Sequence, residues 1–133
     1  MESARADLDY AFVARWANAN DNATLTAIDA SFVRVATGRG PLPFAVAGRI
    51  RLLGGKDTVE LGLRISLGES SIEMTNEIEA REAQEYAPDR RHILFAANTQ
   101  MPVLEFGLTT VEISLDGDLV RTLRFEIVES EEP

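Results

Sequence analysis

The sequence predicts an all-β fold: a two-sheet antiparallel β-sandwich, immunoglobulin-like, with about eight strands and at most one short helix. Three observations carry that expectation. Alternation of apolar and polar residues, the period of a half-buried strand, recurs along most of the chain. Two such runs flank Asp116-Gly117, a dipeptide suited to the two-residue turn of a β-hairpin. No strong helical period separates the runs, so helices crossing between parallel strands are not expected.

Residues 8–16 read as a strand with Leu8, Tyr10, Phe12, Ala14 and Trp16 on the core face and Asp9, Ala11, Val13 and Arg15 behind. The polar run 18–22 is a turn, because Asn and Asp side chains bond nearby backbone and accept left-handed geometry. A strand over 24–35 needs a bulge near Ile28-Asp29, since Leu25 and Ala27 lie on one track and Ile28 and Phe32 on the other. Residues 37–43 read as a loop whose Pro43 stops the ladder. A strand over 44–53 turns Phe44, Val46, Gly48, Ile50 and Leu52 inward. Gly54-Gly55 then leads to a strand over 58–67 that buries Val59, Leu61, Leu63 and Ile65. Paired as a hairpin, these two set Leu52 opposite Val59 and Arg51 opposite Glu60.

Residues 71–80 alternate again, with Ile72, Met74 and Ile78 inward. The stretch 81–90 is either a loop or a short helix, and Glu77 with Arg81 has the i,i+4 spacing that supports a helix. A strand over 93–101 turns Ile93, Phe95, Ala97 and Met101 inward and ends at Pro102. In the last hairpin, a tight Asp116-Gly117 turn followed by a bulge near Arg121-Thr122 brings Val120, Leu123, Phe125 and Ile127 inward. Residues 129–133 read as a frayed acidic tail, and 1–133 as a single domain.

The composition limits the partners. Hydrophobic residues make up 45% of 133, enough for a core of its own, and there is no cysteine to staple it. The formal charge is −9, from 13 basic and 22 acidic side chains, which repels phosphate backbones unless the basic groups cluster. Arg49, Arg51 and Arg64 are expected on one sheet face, but with Glu60 among them, and Arg90-Arg91-His92 is short. No nucleic-acid partner is expected. The first residues have no apolar leader segment, and no run approaches the ~18 apolar residues of a membrane span. The expectation is a cytoplasmic protein with no membrane partner.

No residue is singled out as catalytic, cofactor-binding or metal-binding. The one histidine, His92, lies between Arg91 and Ile93 with no Gly-x-Ser-x-Gly elbow in the chain, and reads as a solvated strand-end side chain. Zinc wants several His or Cys ligands, which this chain lacks. Asn18, Asn20 and Asn22 echo calcium-loop spacing, but Ala23 stands where the loop needs glycine. Glu73, Glu77 and Glu79 alternate as on a solvated sheet face. Tyr10 and Trp16 can line a ligand surface, yet sharing a track with Leu8 and Phe12 they read as core.

Asp9-Tyr-Ala-Phe-Val13, Leu25-Thr-Ala-Ile-Asp-Ala-Ser-Phe32 and Pro41-Leu-Pro-Phe-Ala-Val-Ala-Gly48 resemble a bacterial, often actinobacterial, family of small all-β proteins of unknown function. His92-Ile-Leu-Phe-Ala96 and 111–120 are similar to it too. The resemblance implies no activity and no site residues. On the residues alone, the leading expectation is a non-enzymatic module acting through protein–protein interaction or self-association, with a homodimer formed on Ala11, Val13, Leu94 and Ala96. The alternative is a small-molecule or carbohydrate-binding domain, or a carboxylate-based hydrolase. A pairing edge strand favours the first and a pocket with aromatics and converging carboxylates the second.

Overall fold

A computed structural model of the chain describes residues 4–79, 83–88 and 90–131. Among these it shows eleven strands and no helix. They are β1 (Arg5–Ala14), β2 (Trp16–Ala19), β3 (Leu25–Ile28), β4 (Arg34–Thr37), β5 (Gly40–Leu53), β6 (Thr58–Leu67), β7 (Ser70–Glu79), β8 (Gln84–Ala87), β9 (Arg90–Val103), β10 (Gly107–Leu115) and β11 (Asp118–Glu129). The first sheet has the order β1-β5-β9-β8, the second β4-β11-β10-β6-β7, and β2-β3 forms a separate hairpin. All pairings are antiparallel except β4 with β11, which is parallel. The all-β class is as predicted, while the strand count exceeds the expected eight because two long predicted strands are each broken and β8 forms where a loop or short helix was expected.

One apolar core joins the two larger sheets. Phe44, Val46, Ile50 and Leu52 of β5 and Ile93, Phe95 and Met101 of β9 share it with Val59, Leu61, Leu63 and Ile65 of β6 and Phe125 and Ile127 of β11. Period-2 alternation in the sequence had marked these side chains, and their burial is the dominant stabilising term. Phe125 sits at its centre, edge-on to both Phe32 and Phe44.

The first break falls in the strand predicted over 8–16. A bulge between Leu8 and Tyr10 shifts the register against β5. It reverses parity, so Ala6 and Leu8 precede it on the core side while Ala11 and Val13 follow it there. Beyond Leu8 the predicted inward set holds only in part: Ala14 is buried as expected, but Val13 is buried too and Trp16 is 45% exposed. Gly48 makes the bulge possible, since a Cβ there would lie 2.3 Å from the Tyr10 carbonyl oxygen. The second break replaces the 24–35 strand by β3 and β4. Asp29 and Ser31, both at positive φ, turn the chain between them, so the chain bends there rather than bulging within one strand.

The β5–β6 hairpin expected from the sequence does not form. β5 and β6 lie in different sheets, and the chain passes from one to the other through residues 54–57. Leu52 and Val59 are both buried, but Arg51 stands opposite Asp7 and His92, and Glu60 opposite Glu77. Arg49 and Arg51 thus belong to one sheet, and Arg64 and Glu60 to the other. The crossing is held by Arg91 donating to the Lys56 carbonyl and by the Lys56–Asp116 ion pair at 2.9 Å.

Prolines do not interrupt the ladder where expected. β5 starts at Gly40 and runs through Pro43, and β9 runs through Pro102 to Val103, with Pro41 directly opposite Pro102. Two facing prolines lose no ladder bond only at a pair whose backbone groups point away from each other. Residues 81–82 and 89 lie outside the described residues, and so does Ala80 of the predicted 71–80 strand. The rest of the 81–90 segment includes the short strand β8 rather than a helical turn. The C-terminal hairpin turns at Asp116 and Gly117, with φ of 51° and 86° as the two-residue hairpin turn requires. Its bulge sits one residue earlier than predicted, at Val120, between the pairs Ser114–Leu119 and Ile113–Arg121. Val120 is accordingly 38% exposed rather than inward. Pairing also extends into the predicted tail, where the Ser130 amide donates to Thr37; residues 132–133 lie outside the described residues.

Candidate functional site

The site is built on β9, whose outward edge is only partly covered. β8 pairs with it up to His92, and among the described residues no strand pairs with that side of β9 beyond this point. Which backbone groups face the open edge follows from parity. The Val13 carbonyl accepts from the Ser31 amide at 2.6 Å, so it points away from β5 and Val13–Val46 is a pair without mutual bonds. Val46 then bonds across to Ala97, and Ala47–Ala96 and Arg49–Leu94 are the pairs whose groups point apart. The facing prolines give the same parity independently. The amides and carbonyls of Leu94 and Ala96 therefore point out from the sheet.

The β2–β3 hairpin bounds this edge on one side. It folds over the outer face of the first sheet, burying Ala17 against Ala45 and Ala47. The Asn98 side chain fastens it, donating to the Ala17 carbonyl at 2.8 Å and accepting from its amide at 3.3 Å. The hairpin tip is tied internally: Asn20 Nδ2 donates to Thr24 and Thr26, and Asn18 donates to Asn20. The asparagines that echoed a calcium loop are thus bonded within the hairpin, Asn18 to Asn20, Asn20 to Thr24 and Thr26, and Asn22 accepting from the Thr24 hydroxyl. No group of three His, Cys, Asp or Glu placed to hold a metal occurs among the described residues.

Two concavities meet at Leu94 and Ala19. On the outer face, a cleft of about 650 Å³ lies between the hairpin tip and β8, with Tyr10, Arg49, His92 and Leu94 in its lining and Asn20, Asp21 and Gln84 on its walls. Between the sheets, a slot of about 450 Å³ is lined by Leu61, Leu63, Met74, Ile78 and Phe95 at its base, with Thr75 and Asn76 also in its lining. Because Leu94 and Ala96 of one face and Phe95 and Ala97 of the other all line the slot, it opens along the edge of β9 itself.

The polar groups of the cleft are linked. Arg49 donates through Nε to Asp9 at 2.7 Å, pairs with it again through a second nitrogen, and lies 5.2 Å from the Tyr10 ring centre. The guanidinium holds the Asp9 carboxyl below its usual range. His92 is half-buried and stacked on Tyr86 with ring centres 4.1 Å apart, so it is not the solvated strand-end residue expected. Burial, and then the charge of Arg49, push its pKa below the ordinary histidine value. Arg51, opposite His92, has a buried Nε with no hydrogen-bond partner. The arrangement offers donors, a neutral imidazole and an aromatic face. No nucleophile–base pair is seen in it.

Sequence reasoning singled out His92, Tyr10 and the asparagine run separately; the fold brings them to one cleft. Trp16 lies elsewhere, exposed on the hairpin beside Ile28. The contribution of Arg49 and the open edge of β9 were missed. The facing parity of Pro41, Pro43 and Pro102 was a signal for the latter. The homodimer patch is not assembled, since Val13 is in the core and Ala11 packs against it. No helix among the described residues is long and apolar enough to cross a membrane. No family model matches the chain, and no curated protein matches it.

Proposed function

We propose that the chain is a non-enzymatic β-sandwich module of immunoglobulin-like type that holds another protein. The observation that supports this is the uncovered edge of β9, bracketed by β8 and the β2–β3 hairpin, with an apolar slot beneath it. Native sheets blunt such edges with charge, proline or a covering element, whereas here Leu94 and Ala96 are uncharged. Affinity capture with the full chain from its own cells, followed by calorimetry with each purified captured protein, tests the reading. A one-to-one complex is expected. Failure of every captured protein to bind directly contradicts it.

A second reading has its own observation. The outer cleft has the volume of a small-molecule site, with Arg49, His92, Asn20 and Gln84 as polar groups around Tyr10. This supports binding of a neutral polar ring such as a sugar. Saturation-transfer NMR with a panel of monosaccharides separates it from the first: transfer abolished by Tyr10→Ala supports the second reading.

A further inference from the structure

We propose that the β9 edge between Ile93 and Ala97 takes an extended basic segment of a partner protein as an added strand, an inference that rests on the protein-binding reading. Its main-chain bonds go to the outward amides and carbonyls of Leu94 and Ala96, which have no strand partner on that side among the described residues. Strand addition draws affinity from such bonds and specificity from alternate side chains. The period of two fixes where those side chains go. The residue opposite Leu94 points into the outer cleft, and its neighbour, opposite Phe95, points into the slot beside Leu61, Leu63 and Met74. An apolar residue therefore belongs at the second position and a polar one at the first. The window admits about five residues before β8 at one end or the hairpin at the other is reached.

Charge selects a basic segment. The slot lining itself contains no charged side chain, so the sign is set by the surroundings. Asp21 stands on the cleft wall, Arg49 is already bound to Asp9, and the chain as a whole carries −9. A second copy of this chain fits poorly. β9 paired antiparallel with itself around residue 95 would drive the partner's strand into the place of β8, and both copies are acidic.

Selection of short random peptides displayed on phage against the immobilised full chain, followed by NMR of the isotope-labelled chain with each selected peptide, tests this. The expected peptides alternate apolar and polar residues and carry net positive charge. They shift the Leu94 and Ala96 amides and slow their exchange. Methylating alternate peptide nitrogens on the bonding side weakens binding about tenfold or more, a readout independent of any change to the protein. Ala96→Pro, which deletes an amide that β5 does not use, has the same effect. Equal binding by the methylated peptides, selection of acidic peptides, or selection of none overturns the proposal. Selected peptides whose shifts fall away from β9 also overturn it, while leaving the protein-binding reading in place.

Discussion

Asp116 combines two roles in one residue. It takes left-handed geometry in the turn, and its carboxylate accepts from the Glu60 amide at 2.9 Å and from Lys56. The Glu60 amide, reinforced by Lys56, holds its pKa below the ordinary value, against the opposing effect of burial. The stability this contributes is present above about pH 3.9 and is lost as pH falls through the lower folded-state value. Asp116→Ala should cost about 1–2 kcal/mol at neutral pH in urea unfolding, and the difference from wild type should shrink in strong acid. His92 has linkage of the same sign at higher pH, there because folding disfavours the protonated ring rather than favouring an ionised carboxylate. Its pKa is depressed on folding, so the unfolded chain takes up the proton first, and stability falls as pH drops below about 6.5. His92→Gln should leave the fold intact and flatten that part of the profile in urea midpoints taken between neutral and mildly acid pH.

Strand faces were legible in the sequence wherever the alternation ran unbroken. β5, β6, β9 and the second half of β11 bury the side chains that period-2 reading assigned to them. What could not be read was the position of a bulge or break. A bulge costs one residue and leaves no mark except on the parity beyond it, which is how Val13 and Trp16 exchanged places. Nor does alternation distinguish two strands paired side by side from two facing each other across a core, since both demand the same inward set. Leu52 and Val59 satisfy either arrangement, and only tertiary contacts such as Arg91 with Lys56 decide between them. Gly48→Ala tests the bulge directly. Its Cβ meets backbone at Tyr10 and the Phe95 ring at 2.9 Å, so β1 must shift. The expected loss is about 1–3 kcal/mol, as in overpacked sites, with NMR shift changes centred on 8–12. A variant as stable as wild type with unchanged shifts would mean that the close approach is absent.

For the whole molecule, the class of fold followed from alternation, the Asp-Gly turn and the lack of helical period. The candidate site did not follow, because its parts come from β1, β5, β8, β9 and the hairpin tip. The shared core predicts that Phe125→Ala, which removes a ring in contact with Phe32 and Phe44, costs about 3–5 kcal/mol and unfolds both sheets in one transition. Two of the four residues expected to form a self-association patch, Val13 and Ala11, belong to or pack against the core. Sedimentation of the isolated protein should then show one species near 14.6 kDa.

The central claim is that β9 presents an unpaired edge at Leu94 and Ala96. Amide hydrogen exchange of the free chain, resolved residue by residue, tests it most directly, because protection follows the bonding partner of each N–H. Alternation is the predicted result: Ile93, Phe95 and Ala97, bonded to β5, exchange slowly, while Leu94 and Ala96 exchange fast. Slow exchange at all five positions would contradict the account, since the edge would then already be paired.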